Sequence, residues 1–142
     1  MRIYTGGTFD LFHWGHVELL RRLKDLAGKD GQVIVSLNTD EFIEEYKGKK
    51  PVMSYEERYA VLDACRYVDE VVKNIGGKDS KQSVLSSDID IVAIGMDWLE
   101  RDYMKQMSFT RDWLEDNDIS LIYVPYTRGV STTDIKKRLL NQ

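Results

Sequence analysis

The sequence predicts an α/β fold: a doubly wound, five-stranded parallel sheet with helices on both faces. Short apolar runs alternate with amphipathic stretches of helical spacing, in the order β-α-β-α-α-β-α-β-α-β-α. Such alternation is typical of a parallel sheet covered by helices. The chain also has only two prolines, Pro51 and Pro125, and contains no repeat or low-complexity linker. We therefore expect one domain, residues 1–142, with a length that can support a substantial core.

The strands are predicted from short runs that are mostly apolar and lack helical spacing. They cover residues 2–5, 32–37, 67–72, 89–95 and 119–125. The run at 89–95, IDIVAIG, has the composition of a strand that is buried on both faces. The five strands together define a sheet of the Rossmann-like kind.

The helices are predicted from apolar spacing and from terminal signals. The first runs from His16 to Gly28, where glycine can end a helix. Ser54 and Glu57 form a Ser-x-x-Glu capping box that opens a helix to about Cys65. The other helices are predicted at residues 39–46, 80–87, 109–117 and 131–140.

Composition narrows the classes of protein to consider. Hydrophobic residues make up 42% of the chain, and its net charge of −4 argues against a nucleic-acid-binding protein. The lone Cys65 excludes an internal disulfide and a cysteine-based metal site, and its apolar surroundings predict a buried core residue. The N-terminal residues contain no apolar signal region, and no apolar run approaches the ~20 residues of a membrane span. We expect a cytoplasmic protein without membrane partners.

Polar and glycine-rich segments follow four of the predicted strands. They read GGTFDLFHWGH, NTDEF, GMDW and PYTRGVSTTD. Doubly wound sheets bind ligands outside the carboxyl ends of their strands. The sequence therefore predicts a binding site where these four segments meet.

The two histidines of the chain, His13 and His16, both lie in the first of these segments. They follow the pair Gly6–Gly7, whose backbone can approach a phosphate closely, and they stand near the start of a long helix. Gly15 between them leaves room for a ligand. Two imidazoles at this place can donate hydrogen bonds to phosphate oxygens, also when protonated. Helix capping or burial in the core is the alternative role for both side chains.

A zinc site is a competing interpretation of the histidine pair. It requires Asp10 and Asp97 as further ligands, because the chain has no third histidine. Structural zinc sites prefer four nitrogen or sulfur ligands, so the pattern disfavours this interpretation.

A cluster of lysines follows the second helix. Lys47, Lys49 and Lys50 lie in a glycine-containing segment, with Arg58 and Arg66 further along the chain. By itself such a run is a solvated charged surface. Next to a phosphate site, a cationic loop can close over a polyphosphate.

The last helix begins with a run of hydroxyl side chains. Gly129 precedes Ser131, Thr132, Thr133 and Asp134, and the Ser-x-x-Asp spacing also fits an ordinary helix cap. The exposed hydroxyls and the helix N-terminus together form a second potential anion site. These features predict a phosphate-binding α/β protein, a phosphoryl or nucleotidyl transferase.

Three segments resemble motifs of the cytidylyltransferase-type nucleotidyltransferases. GTFDLFHWGH is similar to the H-x-G-H signature, and RYVDEVV and GVSTTDIKKR are similar to two further motifs, in family order and at family spacing. The chain's small size and its His-Trp-Gly-His wording resemble bacterial members that make CDP-glycerol for cell-wall or capsule polymers. The resemblance implies that CMP passes from CTP to a small phosphorylated alcohol, most of all glycerol 3-phosphate, with release of pyrophosphate. It also implies Mg²⁺ bound mainly through the CTP phosphates, and a homodimer with residues 66–72 near its interface.

The resemblance also assigns roles to residues of this chain. The implied catalytic residues are His13, His16 and Lys49. The nucleotide-binding residues are Gly7, Thr8, Phe9, Asp10, Gly95, Asp97, Trp98, Arg128, Ser131, Thr132 and Thr133. The acceptor-binding residues are Lys47, Arg58 and Arg66. No protein ligand to a metal is implied.

Two positions depart from the family pattern. The family usually has arginine where this chain has Tyr126, and Arg128 follows two residues later. Met96 stands where relatives of the glycerol type tend to have aspartate. Three alternatives therefore stay open: an acceptor such as phosphoethanolamine, phosphocholine or an amino-acid-derived phosphate; adenylyl transfer from ATP; and a nucleotide-binding domain without catalysis.

Overall fold

The structure is a computed structural model that describes residues 1–76, 78–95, 109–125 and 127–142. The strands of this part are β1 (Arg2–Gly7), β2 (Gln32–Asn38), β3 (Glu70–Asn74), β4 (Ile91–Gly95) and β5 (Ser120–Val124). Its helices are α1 (Trp14–Ala27), α2 (Asp40–Lys47), α3 (Tyr55–Asp63), α4 (Lys78–Ser86), α5 (Arg111–Asp116) and α6 (Thr132–Leu140). The predicted order of elements is confirmed.

The strands form one parallel sheet in the order β3-β2-β1-β4-β5. The chain builds outward from β1 to β3 and then returns to the other side of β1 for β4 and β5. This reversal places the ends of β1 and β4 beside each other at the switch point, where connections lead away in opposite directions. A crevice at that point is the usual ligand site of doubly wound sheets.

Helices pack on both faces of the sheet, as predicted. On one face, α1 contributes Leu20 and α3 contributes Leu62 to a cluster of buried apolar side chains. On the other face, α4 contributes Val84 and α5 contributes Leu114 to a second cluster. Consecutive residues of the central strands belong to opposite clusters, as the alternation of side chains along a strand requires. Within the described residues, no helix has the length and apolar character needed to cross a membrane.

Several element boundaries differ from those expected. β1 continues through Gly6 and Gly7, because both pair with β2, whereas the sequence suggested that it ends at residue 5. β3 begins at Glu70 rather than at residue 67. The reason is a turn in which the amide of Val68 donates to the carbonyl of Cys65 at 3.1 Å. The side chain of Cys65, predicted to be a buried core residue, packs against the first cluster but is only partly buried.

Candidate active site

A cavity of ≈ 360 Å³ lies at the carboxyl edge of the sheet, beside the switch point. It is lined by His13, Gly15, His16, Leu19, Gly95, Val124, Pro125, Thr127, Val130, Ser131 and Thr132. The cavity thus joins the loop after β1, the end of β4 and the segment between β5 and α6. None of these described lining residues carries a carboxylate, so they do not repel an anionic ligand at short range.

The two histidines cap helix α1 reciprocally. The Nδ1 atom of His13 accepts a hydrogen bond from the amide of Gly15 at 3.1 Å. The Nδ1 atom of His16 accepts one from the amide of His13, also at 3.1 Å. This is a capping box in which imidazoles replace the usual serine and glutamate. Because each Nδ1 accepts, the hydrogen of each neutral ring lies on Nε2, which is left to donate to a ligand in the cavity.

Both imidazoles are neutral at neutral pH, although the sequence also allowed protonated donors. The pKa of His16 is lowered to about 3, mainly by burial and also by the neighbouring His13, against an opposing effect of Asp10. Burial also lowers the pKa of His13, with a contribution from Arg138. The two rings stack with their centroids 3.8 Å apart. Two adjacent positive charges are unfavourable in that geometry, so the site donates hydrogen bonds as neutral imidazole.

Gly15 is required by packing against the histidine. A Cβ atom at this position would approach the Cε1 atom of His13 and the Cγ1 atom of Val130 to 2.9 Å each. The expected role was room for a ligand. In the structure Gly15 lines the cavity, and the missing side chain also leaves room for the His13 ring and for Val130, which lies just before α6.

Gly7, Thr8 and Phe9 shape the loop behind the histidines and are not part of the cavity lining. The ring of Phe9 packs 5.3 Å from that of His16, and a Cβ atom on Gly7 would meet the Phe9 ring at 2.9 Å. The backbone of Phe9 has a φ of +52°, a strained conformation for a bulky residue. The backbone contacts to a nucleotide that these residues were expected to make stay a prediction.

The carboxylate of Asp10 accepts hydrogen bonds from backbone amides, and its predicted contact with a nucleotide stays a prediction. One oxygen accepts from the amide of Val52 at 2.8 Å, and the other accepts from the amides of Met53 at 2.9 Å and Leu11 at 3.1 Å. The carboxylate is therefore committed to backbone donors across the loop. The zinc interpretation accordingly gains no third ligand from Asp10.

The predicted acceptor contacts of Arg58 and Arg66 stay predictions, and neither side chain is among the described residues that line the cavity. The side chain of Arg58 is fully buried and pairs with Asp40 at 2.6 Å. Arg66 is exposed in the turn before β3. That turn lies at the amino edge of the sheet, because a strand of a parallel sheet begins opposite the edge that carries the cavity.

The lysines lie on a segment that we call the basic loop, residues 47–53. Lys47, Lys49 and Lys50 are all exposed. The amino group of Lys50 is 4.0 Å from the carboxylate of Glu44, at the edge of an ion pair. The structure therefore presents the positive charge of this loop to solvent, and the role of Lys47 and Lys49 toward substrates stays a prediction.

The start of α6 brings some of its predicted residues to the cavity and not others. Ser131 is the N-cap, and its Oγ atom accepts from the amide of Asp134 at 3.0 Å. Thr132 lines the cavity, but its hydroxyl donates to the carbonyl of Asp10 at 3.0 Å and is not free to donate to a phosphate. Thr133 and Arg128 are exposed and outside the lining.

Several apolar and polar residues that line the cavity were not predicted from the sequence, although the sequence pattern around some of them could have indicated their position. Thr127 and Val130 belong to a strand-end segment already singled out by its composition. Leu19 stands three residues after His16 on α1, which places it on the same helix face. Asp97 and Trp98, together with Met96 and Tyr126, lie outside the described residues.

Comparison with known proteins identifies the family. The model of the cytidylyltransferase-like family matches residues 4–138. A glycerol-3-phosphate cytidylyltransferase of Bacillus subtilis is 38% identical over 138 residues, which cover 97% of this chain and 96% of the relative. An FAD synthase of Korarchaeum cryptofilum is 29% identical over 98% of this chain and 91% of the relative.

A solved structure agrees with the fold. The lipopolysaccharide core biosynthesis protein of Thermoplasma volcanium superposes with a TM-score of 0.64, at 23% identity over 89% of this chain and 96% of that one. At this identity the likeness supports the Rossmann-like α/β fold alone. The family model, the full-length relatives and the histidine-lined cavity together establish that this chain belongs to the cytidylyltransferase-like family, a class of nucleotidyltransferase enzymes.

Proposed function

We propose that this enzyme transfers CMP from CTP to glycerol 3-phosphate, giving CDP-glycerol and pyrophosphate. The observation that carries the proposal is the histidine pair, which offers two Nε2–H donors to a cavity whose described lining residues carry no carboxylate. The choice of CTP and of a glycerol phosphate rests on the full-length likeness to the Bacillus subtilis enzyme.

In the proposed reaction, a phosphate oxygen of the acceptor attacks the α-phosphorus of CTP. The new P–O bond forms as the bond between the α-phosphorus and the bridging oxygen breaks, and pyrophosphate leaves with the electron pair. His13 and His16 donate to the oxygens that gain charge, and Lys49 with Lys47 offsets the remaining charge from the basic loop. Ser131 and the free amides at the start of α6 bind the outer phosphates. Positioning and charge stabilisation supply the catalysis without a covalent enzyme intermediate.

Mg²⁺ is proposed to arrive on the CTP phosphates. Within the described residues, no group of three histidine, cysteine or acidic side chains is arranged to hold a metal, and the Asp10 carboxylate is committed to amides. This donor set fits an ion that keeps water and phosphate ligands and needs no all-protein cage. When bound, Mg²⁺ would neutralise phosphate charge, and Ser131 and the lysines would hold the phosphates that carry it.

We infer a homodimer in the cytoplasm that supplies a cell-wall or capsule polymer pathway, on the strength of the motif resemblance. Light scattering of the purified protein tests the dimer, and a mass equal to one chain of 16.5 kDa would contradict it.

Pyrophosphate release tests the function, with CTP or ATP, Mg²⁺, and glycerol 3-phosphate, phosphoethanolamine or phosphocholine as acceptors. We expect turnover with CTP and glycerol 3-phosphate. Turnover with another acceptor alone would reassign the acceptor, and turnover with ATP alone would replace cytidylyl by adenylyl transfer. The variant His13→Asn tests the role of the histidine, because asparagine can still cap α1 but has no donor at the place of Nε2. Its kcat should fall by about 100-fold or more, with little loss of stability.

A further inference from the structure

The carboxylate of Asp10 joins two loops that are far apart in sequence. It accepts from the amides of Val52 and Met53, 42 and 43 residues away, at 2.8 and 2.9 Å. Asp10 is buried, with 6% of its surface exposed. Buried hydrogen bonds to a charged acceptor are among the stronger ones in proteins. The far end of the basic loop is therefore held against residues 8–13, the loop between β1 and α1 that we call the histidine loop.

Arg58 holds the same segment from its other side. Its Nε atom donates to the carbonyl of Met53 at 3.0 Å. Its Nη1 atom donates to the carbonyls of Thr8 at 2.9 Å and Asn38 at 2.8 Å, just beyond β1 and at the end of β2. The amide and the carbonyl of Met53 are thus both fixed to the carboxyl edge of the sheet. A segment held from both sides has little freedom to shift relative to the cavity.

Only a short stretch of the basic loop lies between fixed points. Helix α2 ends at Gly48, which caps it with a φ of +77°, and the clamp begins at Val52. Lys49, Lys50 and Pro51 lie between them. Three residues span at most about 10 Å when extended, so the two fixed ends determine where the Lys49 side chain starts.

Asp10 also contacts the element on the opposite side of the cavity. Its carbonyl accepts from the hydroxyl of Thr132, on the first turn of α6, at 3.0 Å. Its neighbours Phe9 and Leu11 have φ angles of +52° and +50°. Such strained backbone persists where the surrounding contacts hold it in place. One residue thus ties together the histidine loop, the basic loop and α6.

We propose that Asp10 is a positioning residue for the basic loop: by clamping Val52 and Met53 together with Arg58, it sets the place from which Lys49 meets the triphosphate. This inference rests on the proposed function for the role of Lys49. Asp10 touches no reacting atom in this scheme and acts through the loop. Substitution of Asp10 should therefore lower kcat/KM only in an enzyme that retains Lys49.

The variant Asp10→Asn tests the clamp with little change of volume. Asparagine keeps one accepting oxygen, but its amide nitrogen presents a donor to the amide of Val52. Asp90→Asn is the matched control. The carboxylate of Asp90 likewise accepts from a backbone amide, that of Arg2 at 2.8 Å, but it lies at the amino edge of the sheet.

Hydrogen exchange of the free protein measures how firmly Asp10 holds the amides of Val52 and Met53, and it needs no substrate. In Asp10→Asn the amides of Val52 and Met53 should exchange about tenfold faster or more, while amides of β1 and β2 keep their protection. Asp90→Asn should leave residues 52 and 53 unchanged. Unchanged exchange at these two amides in Asp10→Asn would overturn the assignment, and loss of protection throughout the sheet would mean a general loss of folding rather than a clamp.

A double-mutant cycle of Asp10→Asn and Lys49→Met tests whether the clamp acts through Lys49. It compares kcat/KM values, measured with whichever acceptor the wild type uses. Asp10→Asn should lower kcat/KM by about 10- to 100-fold in the wild-type background, corresponding to one lost bond to a charged acceptor. In the Lys49→Met background its further cost should fall below about threefold. Equal costs in both backgrounds would overturn the inference while leaving the proposed function intact. If the wild type turns over no acceptor, the proposed function fails, and the exchange measurement alone decides whether the clamp exists.

Discussion

At the scale of single residues, each histidine of the site uses one ring nitrogen to cap α1 and keeps the other as a hydrogen-bond donor. Nδ1 of His13 and Nδ1 of His16 accept backbone amides at the start of α1, which leaves Nε2 as a donor. The sequence alone presents capping as an alternative to a functional role. Capping selects the tautomer with its hydrogen on Nε2, which is the tautomer that the proposed phosphate contacts require.

This arrangement makes the stability of the protein depend on pH. The pKa of His16 falls from 6.5 to about 3 in the folded state, so between these values the unfolded chain binds a proton that the folded chain does not. The contribution of neutral His16 to the free energy of unfolding is therefore fully present above about pH 6.5 and is lost as the pH falls toward 3. We expect the free energy of unfolding to fall by about 2 kcal/mol from His16 alone between about pH 7.5 and pH 5.

Urea unfolding at these two pH values measures the effect. His16→Gln is the reference variant, because glutamine can take the same position in a capping box but does not titrate. The wild type should lose more stability on acidification than this variant does. Parallel losses in the two proteins would show that His16 is not the group responsible.

At the scale of elements, the start of helix α6 contributes to both stability and ligand binding. Ser131 caps the helix and also lines the cavity, so its hydroxyl can accept from Asp134 and donate toward a ligand. Thr110 caps α5 in the same way, accepting from the amide of Trp113 at 3.1 Å, and is not among the lining residues. These two caps offer a matched comparison.

We expect Ser131→Ala and Thr110→Ala to lose similar stability, about 1 kcal/mol each, since both remove an N-cap. Only Ser131→Ala should raise the KM for CTP, by about tenfold, because it also removes a hydrogen bond to a charged phosphate. Urea unfolding and steady-state kinetics at saturating acceptor separate the two effects. An unchanged KM in Ser131→Ala would remove this residue from the proposed triphosphate site.

At the scale of the whole molecule, one buried cation connects the carboxyl edge of the sheet. Arg58 binds Asp40 and the carbonyls of Thr8, Asn38 and Met53, and its side chain has no exposed surface. Removing one partner of a buried ion pair leaves the others without hydrogen bonds, which is more costly than losing the pair itself. The edge that carries the site therefore depends on this side chain.

We expect Arg58→Met to lower the free energy of unfolding by about 3–5 kcal/mol. Arg21→Met is the control, because Arg21 pairs with Glu18 and Asp25 on the surface of α1 with 41% of its side chain exposed. That change should cost less than about 1 kcal/mol. Denaturant unfolding of both variants measures the difference. A cost for Arg58→Met no larger than that for Arg21→Met would mean that Arg58 does not hold the edge together.

The sequence by itself determined the order of the elements, the edge of the sheet that carries the site, and the histidine pair. These properties follow from local patterns, since apolar periodicity, strand-end composition and motif spacing are all visible within a few residues. Only the tertiary structure decided how Asp10 and Arg58 are used. Both were expected to touch substrates, yet both bind backbone groups across the fold, with partners up to 50 residues away. Nothing local in a sequence distinguishes a charge that faces a ligand from one that holds a distant loop.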